Sequence, residues 1–426
     1  MTELTAEDLR HNKQVLLACF LYSTLGGVLR KWVFIGETGI NNLLLVGQLL
    51  MPFVMFFLMR REKNFFTYMP LVPYAIVLIL LALNPMNLTI YHGIFGFIMH
   101  FGFWLMLFTY INERDAFPIE NLTKPFIIVC FLEALLTIVQ FNFPIVHPIN
   151  RYESGDSTSG FEGGLVRVSG TFSYIGGYGA FLFFFGFLIW ALMVENKRRM
   201  GLIMLLAAFC LFGAFMNGSR TTTLAVVVFI ACGFWGYNTA VNKIRFLVMI
   251  PILLVFASIY NVSTKLPAIE AAYNAFMGRV EAGQRTGESG NRAFETIYET
   301  VVFESENTLF GLGLGSTYQG ATQTWGRSHY VVKYGFYEEE PERILLEGGY
   351  VLLIIRAFLF MLMIRQLKIP IVFSIPIMLY LFFFTQMVSS TFQSCFTFFG
   401  IAILDKMYYL KSLETDSEPI ETIETQ

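Results

Sequence analysis

The sequence predicts an all-α protein that crosses a membrane about twelve times. Of its 426 residues, 55% are hydrophobic and only 14% are charged, whereas a soluble domain carries roughly 25% charged residues. The mean hydropathy is +0.59, and apolar runs of about 20 residues, the length needed to cross a bilayer core, recur along most of the chain. These observations exclude a soluble globular enzyme and a disordered chain.

Twelve apolar runs predict the membrane spans in order. They lie at residues 15–35, 40–59, 65–83, 93–110, 125–143, 172–194, 201–216, 222–238, 246–261, 347–364, 370–386 and 388–404. Runs of this length are typical of helices, because a membrane barrel shows short alternating strands instead. The chain then divides into an N-terminal segment at 1–14, spans one to nine within 15–260, a large loop at 261–346, spans ten to twelve within 347–408, and a polar tail at 409–426 that is expected to be disordered.

The basic residues predict the orientation of these spans. Lysine and arginine collect in alternate loops, at 60–63, 197–199, 243–245 and 365–368, and such loops face the cytoplasm. Both termini are therefore expected to be cytoplasmic, with the 261–346 loop outside. The net charge of −2 excludes a nucleic-acid binder, which needs a basic surplus.

The cysteines and carboxylates give no sign of a metal site. All five cysteines lie within apolar runs and none has a CxxC or His/Cys spacing, so neither a zinc site nor a disulfide framework is predicted. No cofactor is expected.

Arg220 lies in the segment NGSRTTTLAVVV, at the predicted outer mouth of the eighth span. An arginine at this depth can simply extend to the membrane surface. It can also bind phosphate oxygens through two parallel hydrogen bonds, next to the free N–H groups at the start of the helix. The sequence leaves both interpretations open.

Arg292 lies in the first turn of an amphipathic helix that the large loop is predicted to contain. A cation is unfavourable at a helix N-terminus, which suggests a function, whereas an ion pair with Glu295 or Glu299 is the simpler interpretation. The GLGLGS segment that follows lacks the spacing of a dinucleotide-binding fingerprint. We interpret it as a closely packed turn.

The segment YEEEPERILLEGGYVLL leads into the tenth span and is predicted to place Glu340, Arg343 and Glu347 on one helix face. A carboxylate near an arginine could act as a general base, or the acidic residues could only stabilise the helix dipole. His329, in the same large loop, could also be a base or have a structural role.

Three further charged residues are candidates for the same region. Arg167 lies in the outer segment at 144–171, which is rich in glycine, serine and proline. Glu133 and Arg356 lie inside the fifth and tenth apolar runs. Charged residues inside spans usually face the bundle interior, and the sequence does not show whether these two pair.

Together these segments resemble the O-antigen polymerase and O-antigen ligase superfamily of bacterial polysaccharide enzymes. The resemblance covers most of the chain: the number of spans, the large loop between the ninth and tenth, GSRTTTL before the eighth, and NRAFETIYETVVFESENTLFGLGLGS in the loop. RILLEGGYVLL is similar to the family's entry into the tenth span but lacks its last glycine. RVSGTFSYIGGYGAF is similar to a loop of exopolysaccharide polymerases in this group.

The resemblance implies a GT-C-like fold and a metal-independent transfer of a glycan from undecaprenyl pyrophosphate, at the outer face of the bacterial cytoplasmic membrane. It implies that Arg220 and Arg292 bind the donor pyrophosphate, with Arg167 as a third candidate. Ligases of the family are expected to use a histidine as base, where this chain has an acidic stretch. The base is therefore open between Glu339, Glu340 and His329, and the supporting residues are Arg343, Glu347, Glu133 and Arg356.

The predicted function is an inverting polysaccharide polymerase that acts on lipid-linked repeat units, with membrane lipid, a flippase and a chain-length regulator as the expected partners. A ligase or protein O-oligosaccharyltransferase with the same donor is the close alternative. A lipid-linked glycan flippase or secondary transporter is the alternative of another class. It would predict paired halves and polar sites in broken helices near the midplane.

Overall fold

The computed structural model describes residues 4–61, 68–158, 166–195, 200–236, 309–318, 325–328, 340–385 and 390–417, together with single positions at 278, 332 and 387. The predicted ninth span and most of the large loop lie outside these residues.

Eleven α-helices account for most of the described chain, which contains no β-strand. They are α1 (Ala6–Val28, continued by a π-helical turn at Leu29–Val33), α2 (Thr38–Leu58), α3 (Leu71–Ala82), α4 (Ile90–Asn112), α5 (Thr123–Asn142), α6 (Ile175–Glu195), α7 (Met200–Asn217), α8 (Arg220–Gly236), α9 (Glu340–Gln366), α10 (Ile371–Phe384) and α11 (Thr391–Ser417). Each matches a predicted span, and seven helical segments are long and apolar enough to cross a membrane. The chain is therefore a helical, multi-pass membrane protein.

α1 and α11 extend well beyond their predicted bounds. α1 begins at Ala6, before the predicted start at residue 15, because Thr5 and Asp8 form a reciprocal capping box at its N-terminus. α11 continues to Ser417, so the first part of the predicted disordered tail is helical. There the hydroxyl of Tyr409 donates to Oδ2 of Asp115 at 3.2 Å, an exposed contact between the extension and the turn after α4.

Consecutive helices alternate in direction from α1 to α8 and again from α9 to α11, which gives the bundle two ends. We call one the loop end; it carries residues 29–37, 143–158, 166–174, 217–220 and 309–318. The other is the termini end, where α1 begins and α11 ends. Side chains join neighbouring elements at each end: Asn12 donates to the carbonyl oxygen of Ala116 at 2.8 Å at the termini end, and Asn217 donates to that of Ile175 at 2.8 Å at the loop end.

α6 and α11 form the centre of the bundle. Every residue of α6 from Gly177 to Val194 is buried, as expected for an apolar helix surrounded by others. Gly400 of α11 lets the ring of Phe187 approach closely, since a Cβ at residue 400 would lie 2.5 Å from that ring. Small residues at helix contacts are the usual means of close packing in a membrane.

The carboxylate of Asp405 connects three parts of the chain at the termini end. The carboxylate of Asp405 accepts hydrogen bonds from Nε of Arg114 at 2.7 Å, from the hydroxyl of Tyr110 at 2.9 Å, and from the backbone N–H of Lys368. Its side chain is fully buried. These contacts join α4, the turn between α9 and α10, and α11.

We predict that Asp405→Asn lowers the melting temperature of the detergent-solubilised protein, because an amide cannot replace the charge beside Arg114. Removing one partner of a buried ion pair costs roughly 3–5 kcal/mol. Asp115→Asn is the matched control, since that side chain is 74% exposed and 3.6 Å from Lys406, and exposed pairs contribute about 0–1 kcal/mol. Equal melting temperatures for the two variants would contradict this role of Asp405.

Candidate functional site

The turn between α7 and α8 holds Arg220. α7 ends at Asn217, and Gly218 has a φ of 70°, a left-handed conformation that glycine adopts without strain. Ser219 then caps α8, because its hydroxyl oxygen accepts from the backbone N–H of Thr222 at 3.4 Å. Arg220 is the first residue of α8 and is partly exposed. It therefore lies beside the N–H groups of a helix start, where an anion is favoured.

Arg167 lies against the same turn. Its neighbour Val168 donates its backbone N–H to the carbonyl oxygen of Met216 at 3.0 Å, next to the end of α7. The Nε of Arg167 donates to the carbonyl oxygen of Asn217 at 3.1 Å, and the residue is 9% exposed. The structure thus brings two of the three predicted pyrophosphate-binding arginines to one turn. The third, Arg292, lies outside the described residues.

Two buried ionisable side chains, Lys31 and Glu133, hold the segment that leads into α6. Lys31, on the π-helical turn after α1, is fully buried, and its Nζ donates to Oγ of Ser169 at 2.7 Å and to the carbonyl oxygen of Gly170 at 3.1 Å. The carboxylate of Glu133 accepts from Oγ1 of Thr171 at 2.5 Å and from its backbone N–H at 3.2 Å. These hydrogen bonds give both buried groups the partners that a low-dielectric interior requires.

α9 changes direction near its start. Gly349 has a φ of 63° and a ψ of −162°, which are not helical values. The carboxylate of Glu340 nevertheless contacts the guanidinium of Arg356, 16 residues along the chain. Sixteen residues of unbroken helix extend about 24 Å, too far for that contact. The chain therefore turns at Gly349, and residues 340–348 fold back as what we call the helical arm.

The helical arm shares a buried charged network with α4. Nε2 of His100 lies 2.9 Å from Oε2 of Glu347, and its Nδ1 lies 3.4 Å from Nη1 of Arg356. Because a guanidinium only donates, Nδ1 accepts and Nε2 carries the proton that is donated to Glu347. Glu340, Glu347, His100 and Arg356 are each at most 1% exposed. Charges this deeply buried persist only when they are paired.

The helical arm also binds the glycine-rich segment at 309–318. The turn at Gly349 leaves backbone carbonyls of the helical arm without helical partners. Backbone N–H groups of the glycine-rich segment donate to these carbonyls instead. The backbone N–H of Leu312 donates to the carbonyl oxygen of Leu346 at 2.7 Å, and the next residue donates to that of Glu347 at 3.1 Å. The two segments therefore depend on each other.

The carboxylate of Glu347 completes this attachment. Besides His100, it accepts from the backbone N–H of Gly315 at 2.9 Å, and from the backbone N–H and hydroxyl of Thr317 at 3.2 and 2.5 Å. Gly315 has a φ of 75°, and a Cβ there would lie 2.1 Å from the carbonyl oxygen of His92. The interpretation of GLGLGS as a closely packed turn is confirmed.

The remaining predicted residues are distributed over these contacts. Glu340 is the one candidate base within the described chain, and it is held by Arg356; Glu339 and His329 lie outside. Arg343 is buried and donates from Nη1 to the carbonyl oxygen of Thr317 at 3.3 Å. Glu133 and Arg356 both face the bundle interior, as expected. Glu133 accepts from Thr171, whereas Arg356 contacts Glu340 and His100.

Three residues of this region were not predicted to be functional. His100 lies in an apolar run, and a histidine at that depth was itself a signal. Arg30 and Lys31 interrupt the first apolar run, and both are at most 5% exposed. Their burial depends on partners more than 100 residues away, which the sequence pattern does not show.

The described part of the chain offers no group of three or more histidine, cysteine, aspartate or glutamate residues placed to hold a metal ion. Arg167 and Arg220 lie at the loop end beside a helix start, a position where an anion is favoured.

We predict that Glu347→Gln loosens the glycine-rich segment. The amide nitrogen of glutamine carries N–H groups, and these cannot accept the hydrogen bonds that the carboxylate now accepts from Gly315 and Thr317. Loss of such a hydrogen bond should speed backbone hydrogen exchange over 312–317 by about tenfold or more. Mass spectrometry of exchanged peptides measures this. Glu37→Gln, at an exposed position, is the control, and unchanged exchange in Glu347→Gln would show that the carboxylate does not hold this segment.

No family model, no curated protein and no solved structure matches this chain. Its function is therefore proposed from the chemistry of the loop end and from the motifs of the sequence.

Proposed function

We propose that the protein is a bacterial polysaccharide polymerase, which transfers a glycan from undecaprenyl pyrophosphate to a hydroxyl of the next lipid-linked repeat unit. The observation that carries the proposal is that Arg167 and Arg220 both lie at the α7–α8 turn. Two guanidiniums beside a helix start are suited to a pyrophosphate, which presents several anionic oxygens. The resemblance of the motifs supplies the reaction class.

In the proposed reaction, the acceptor hydroxyl oxygen attacks the anomeric carbon of the donor glycan. A carbon–oxygen bond forms on one face while the bond to the pyrophosphate oxygen breaks on the other, so the configuration inverts. The electron pair leaves with the pyrophosphate, and a base takes the hydroxyl proton. Because negative charge grows on the leaving group, Arg167 and Arg220 stabilise the transition state more than the bound substrate.

The base and the third cation belong to the large loop in this proposal. Glu339 and His329 are the favoured bases, because Glu340 is engaged by Arg356 in the helical arm. Arg292 would approach the same pyrophosphate from the loop. Arg343, Glu347 and the other buried charges act as supports.

The proposal includes a twelve-span, GT-C-like topology in the bacterial cytoplasmic membrane, with residues 246–261 as the ninth span. The loop end would face the periplasm and the termini end the cytoplasm. The positive-inside rule supports this orientation, because the termini end carries the basic loops that contain Arg60, Arg61 and Arg114.

Two alternatives remain in view. A ligase or protein O-oligosaccharyltransferase would use the same donor and arginines and differ only in the acceptor. A flippase or transporter is favoured by the break in α9, since transporters bind their substrates at broken helices. Here the charges beside the break, Glu340, Glu347, His100 and Arg356, contact one another and the glycine-rich segment. The break therefore serves to hold the loop end together, and the polymerase is the better proposal.

We predict that Arg220→Ala and Arg167→Ala each slow polymerisation of a purified lipid-linked repeat unit more than they weaken its binding. Loss of a charged partner to the leaving group costs on the order of 2–4 kcal/mol, or roughly 30- to 1,000-fold in rate. Arg220→Lys should rescue poorly, because an ammonium cannot make the bidentate contact. Gel analysis of product length measures the rate.

Arg365→Ala is the matched control, because Arg365 is exposed at the termini end. Size-exclusion profiles identify variants that fail to fold. Near wild-type polymerisation by either loop-end variant would remove that arginine from the proposed site.

A further inference from the structure

An apolar groove lies between α8 and α10, with α6 at its base. Its volume is about 380 Å³, and the side chains that line it are apolar or aromatic. Trp190 of α6 and Phe373 of α10 both line it, and their ring centroids are 5.2 Å apart with the planes nearly perpendicular. Cavities of this size hold small molecules or parts of larger ligands. We call this cavity the α8–α10 groove.

The α8–α10 groove opens toward the outside of the bundle. Phe229 and Ile377 are buried and form its floor, whereas Leu224, Val228 and Leu379 line it and are exposed. In a multi-pass membrane protein, apolar side chains that a helix exposes at this depth face hydrocarbon. A hydrocarbon chain in the bilayer can therefore enter the groove from the side without crossing water.

The loop-end mouth of the groove lies directly beside the start of α8. Leu224 follows Arg220 by four residues, and residues four apart lie on the same side of a helix, about 6 Å apart along its axis. The hydroxyl of Tyr380, which also lines the groove, donates to the carbonyl oxygen of Thr221 at 3.0 Å. This bond fixes α10 to the first turn of α8, so the groove and the α7–α8 turn are continuous.

The two connected parts favour opposite chemistry. The start of α8, with Arg220, favours an anion, whereas the groove favours a hydrocarbon chain that leaves water or lipid to pack against its rings. A free anion would use only the first part, and an uncharged hydrocarbon only the second. One molecule that matches both parts is a lipid with an anionic head group.

The arginines of the turn distinguish between anionic lipids. Arg167 and Arg220 both lie there, and a pyrophosphate presents more anionic oxygens to two guanidiniums than the phosphodiester of a phospholipid does. The hydrocarbon part of a pyrophosphate-linked carrier lipid is a polyprenyl chain. The lining continues along α8 from Leu224 to Cys232, a rise of about 12 Å, so the groove matches only the part of that chain next to the head group.

We propose that the α8–α10 groove binds the first isoprene units of the donor's polyprenyl chain, with the pyrophosphate at Arg220. The identity of this lipid as the donor rests on the proposed polymerase function. The binding of the hydrocarbon chain of an anionic lipid in the groove does not. The groove would then select the carrier lipid, while the turn holds the leaving group.

The test uses the full-length protein in nanodiscs and variants that fill the groove from its exposed rim. Val228→Trp places an indole in the groove at a position that is 41% exposed, so the buried packing is retained. Val227→Trp is the matched control, because the neighbouring residue is 44% exposed and does not line the groove. Leu379→Trp and Ile375→Trp repeat the same comparison on α10.

The probes are undecaprenyl pyrophosphate, measured as bound lipid by native mass spectrometry, and inorganic pyrophosphate, measured by calorimetry. The two groove variants should bind undecaprenyl pyrophosphate about tenfold or more weakly than the wild type, because the indole displaces buried isoprene carbons. They should bind inorganic pyrophosphate like the wild type, since the turn is unchanged. Both control variants should bind both probes normally, and Arg220→Ala should weaken the binding of both.

Wild-type affinity for undecaprenyl pyrophosphate in both groove variants would overturn the proposed lipid site and leave the polymerase proposal to its own assay. Equal losses in the groove variants and their controls would also overturn it, because the effect would not depend on the groove. Equal competition by phosphatidylglycerol would make the groove a general phospholipid site and contradict the choice of a polyprenyl chain.

A segment of this chain is the other possible occupant of the groove. A disulfide from Cys232 to a cysteine introduced within residues 246–261, formed equally with and without the lipid, would place the predicted ninth span there and overturn the proposal. Failure of the wild type to polymerise, with groove-dependent lipid binding intact, would refute the polymerase and retain the lipid site.

Discussion

The turn at Gly349 is the feature on which the loop end depends. It folds the helical arm back so that Glu340 meets Arg356 and Glu347 meets His100 inside the bundle. It also frees the backbone carbonyls that accept the glycine-rich segment. In a low-dielectric interior each of these polar groups requires its partner, so the arm, α4 and the glycine-rich segment form one structural unit. A side chain at residue 349 would be strained at its positive φ.

Elsewhere at the loop end, the buried Lys31 and Glu133 each hold the segment before α6 through hydrogen bonds. That segment carries Arg167 to one side, against the α7–α8 turn, and Tyr174 to the other, near Arg30.

The sequence predicted the helices well because the length of an apolar run is fixed by the membrane itself. All eleven described helices match predicted spans. The sequence did not predict the first turns of α1 or the extension of α11. Both are rich in polar residues and lie outside the apolar runs from which the spans were predicted. The break in α9 was missed for another reason. Two adjacent glycines in LEGGYVLL are compatible with a continuous helix, and the turn is stabilised by contacts with residues far away in the sequence.

The candidate site was predictable in part. Arg167, Arg220 and the glycine-rich segment were selected for their residue types, and the structure places the first two at one turn. The sequence could not reveal that Arg30, Lys31 and His100 belong to the loop end. Lys31 and His100, for example, have partners 138 and 247 residues away. It also suggested Glu340 as a base, whereas the structure shows it buried against Arg356.

The most direct test of the account is stoichiometry in a reconstituted system. The purified protein in proteoliposomes would receive a lipid-linked repeat unit, and mass spectrometry would count glycosidic linkages formed and undecaprenyl pyrophosphate released. The account predicts one undecaprenyl pyrophosphate for each new linkage, with the sugar configuration inverted at the anomeric carbon. Movement of the intact lipid-linked glycan across the bilayer, with no linkage formed and no undecaprenyl pyrophosphate released, would contradict it and identify a transporter.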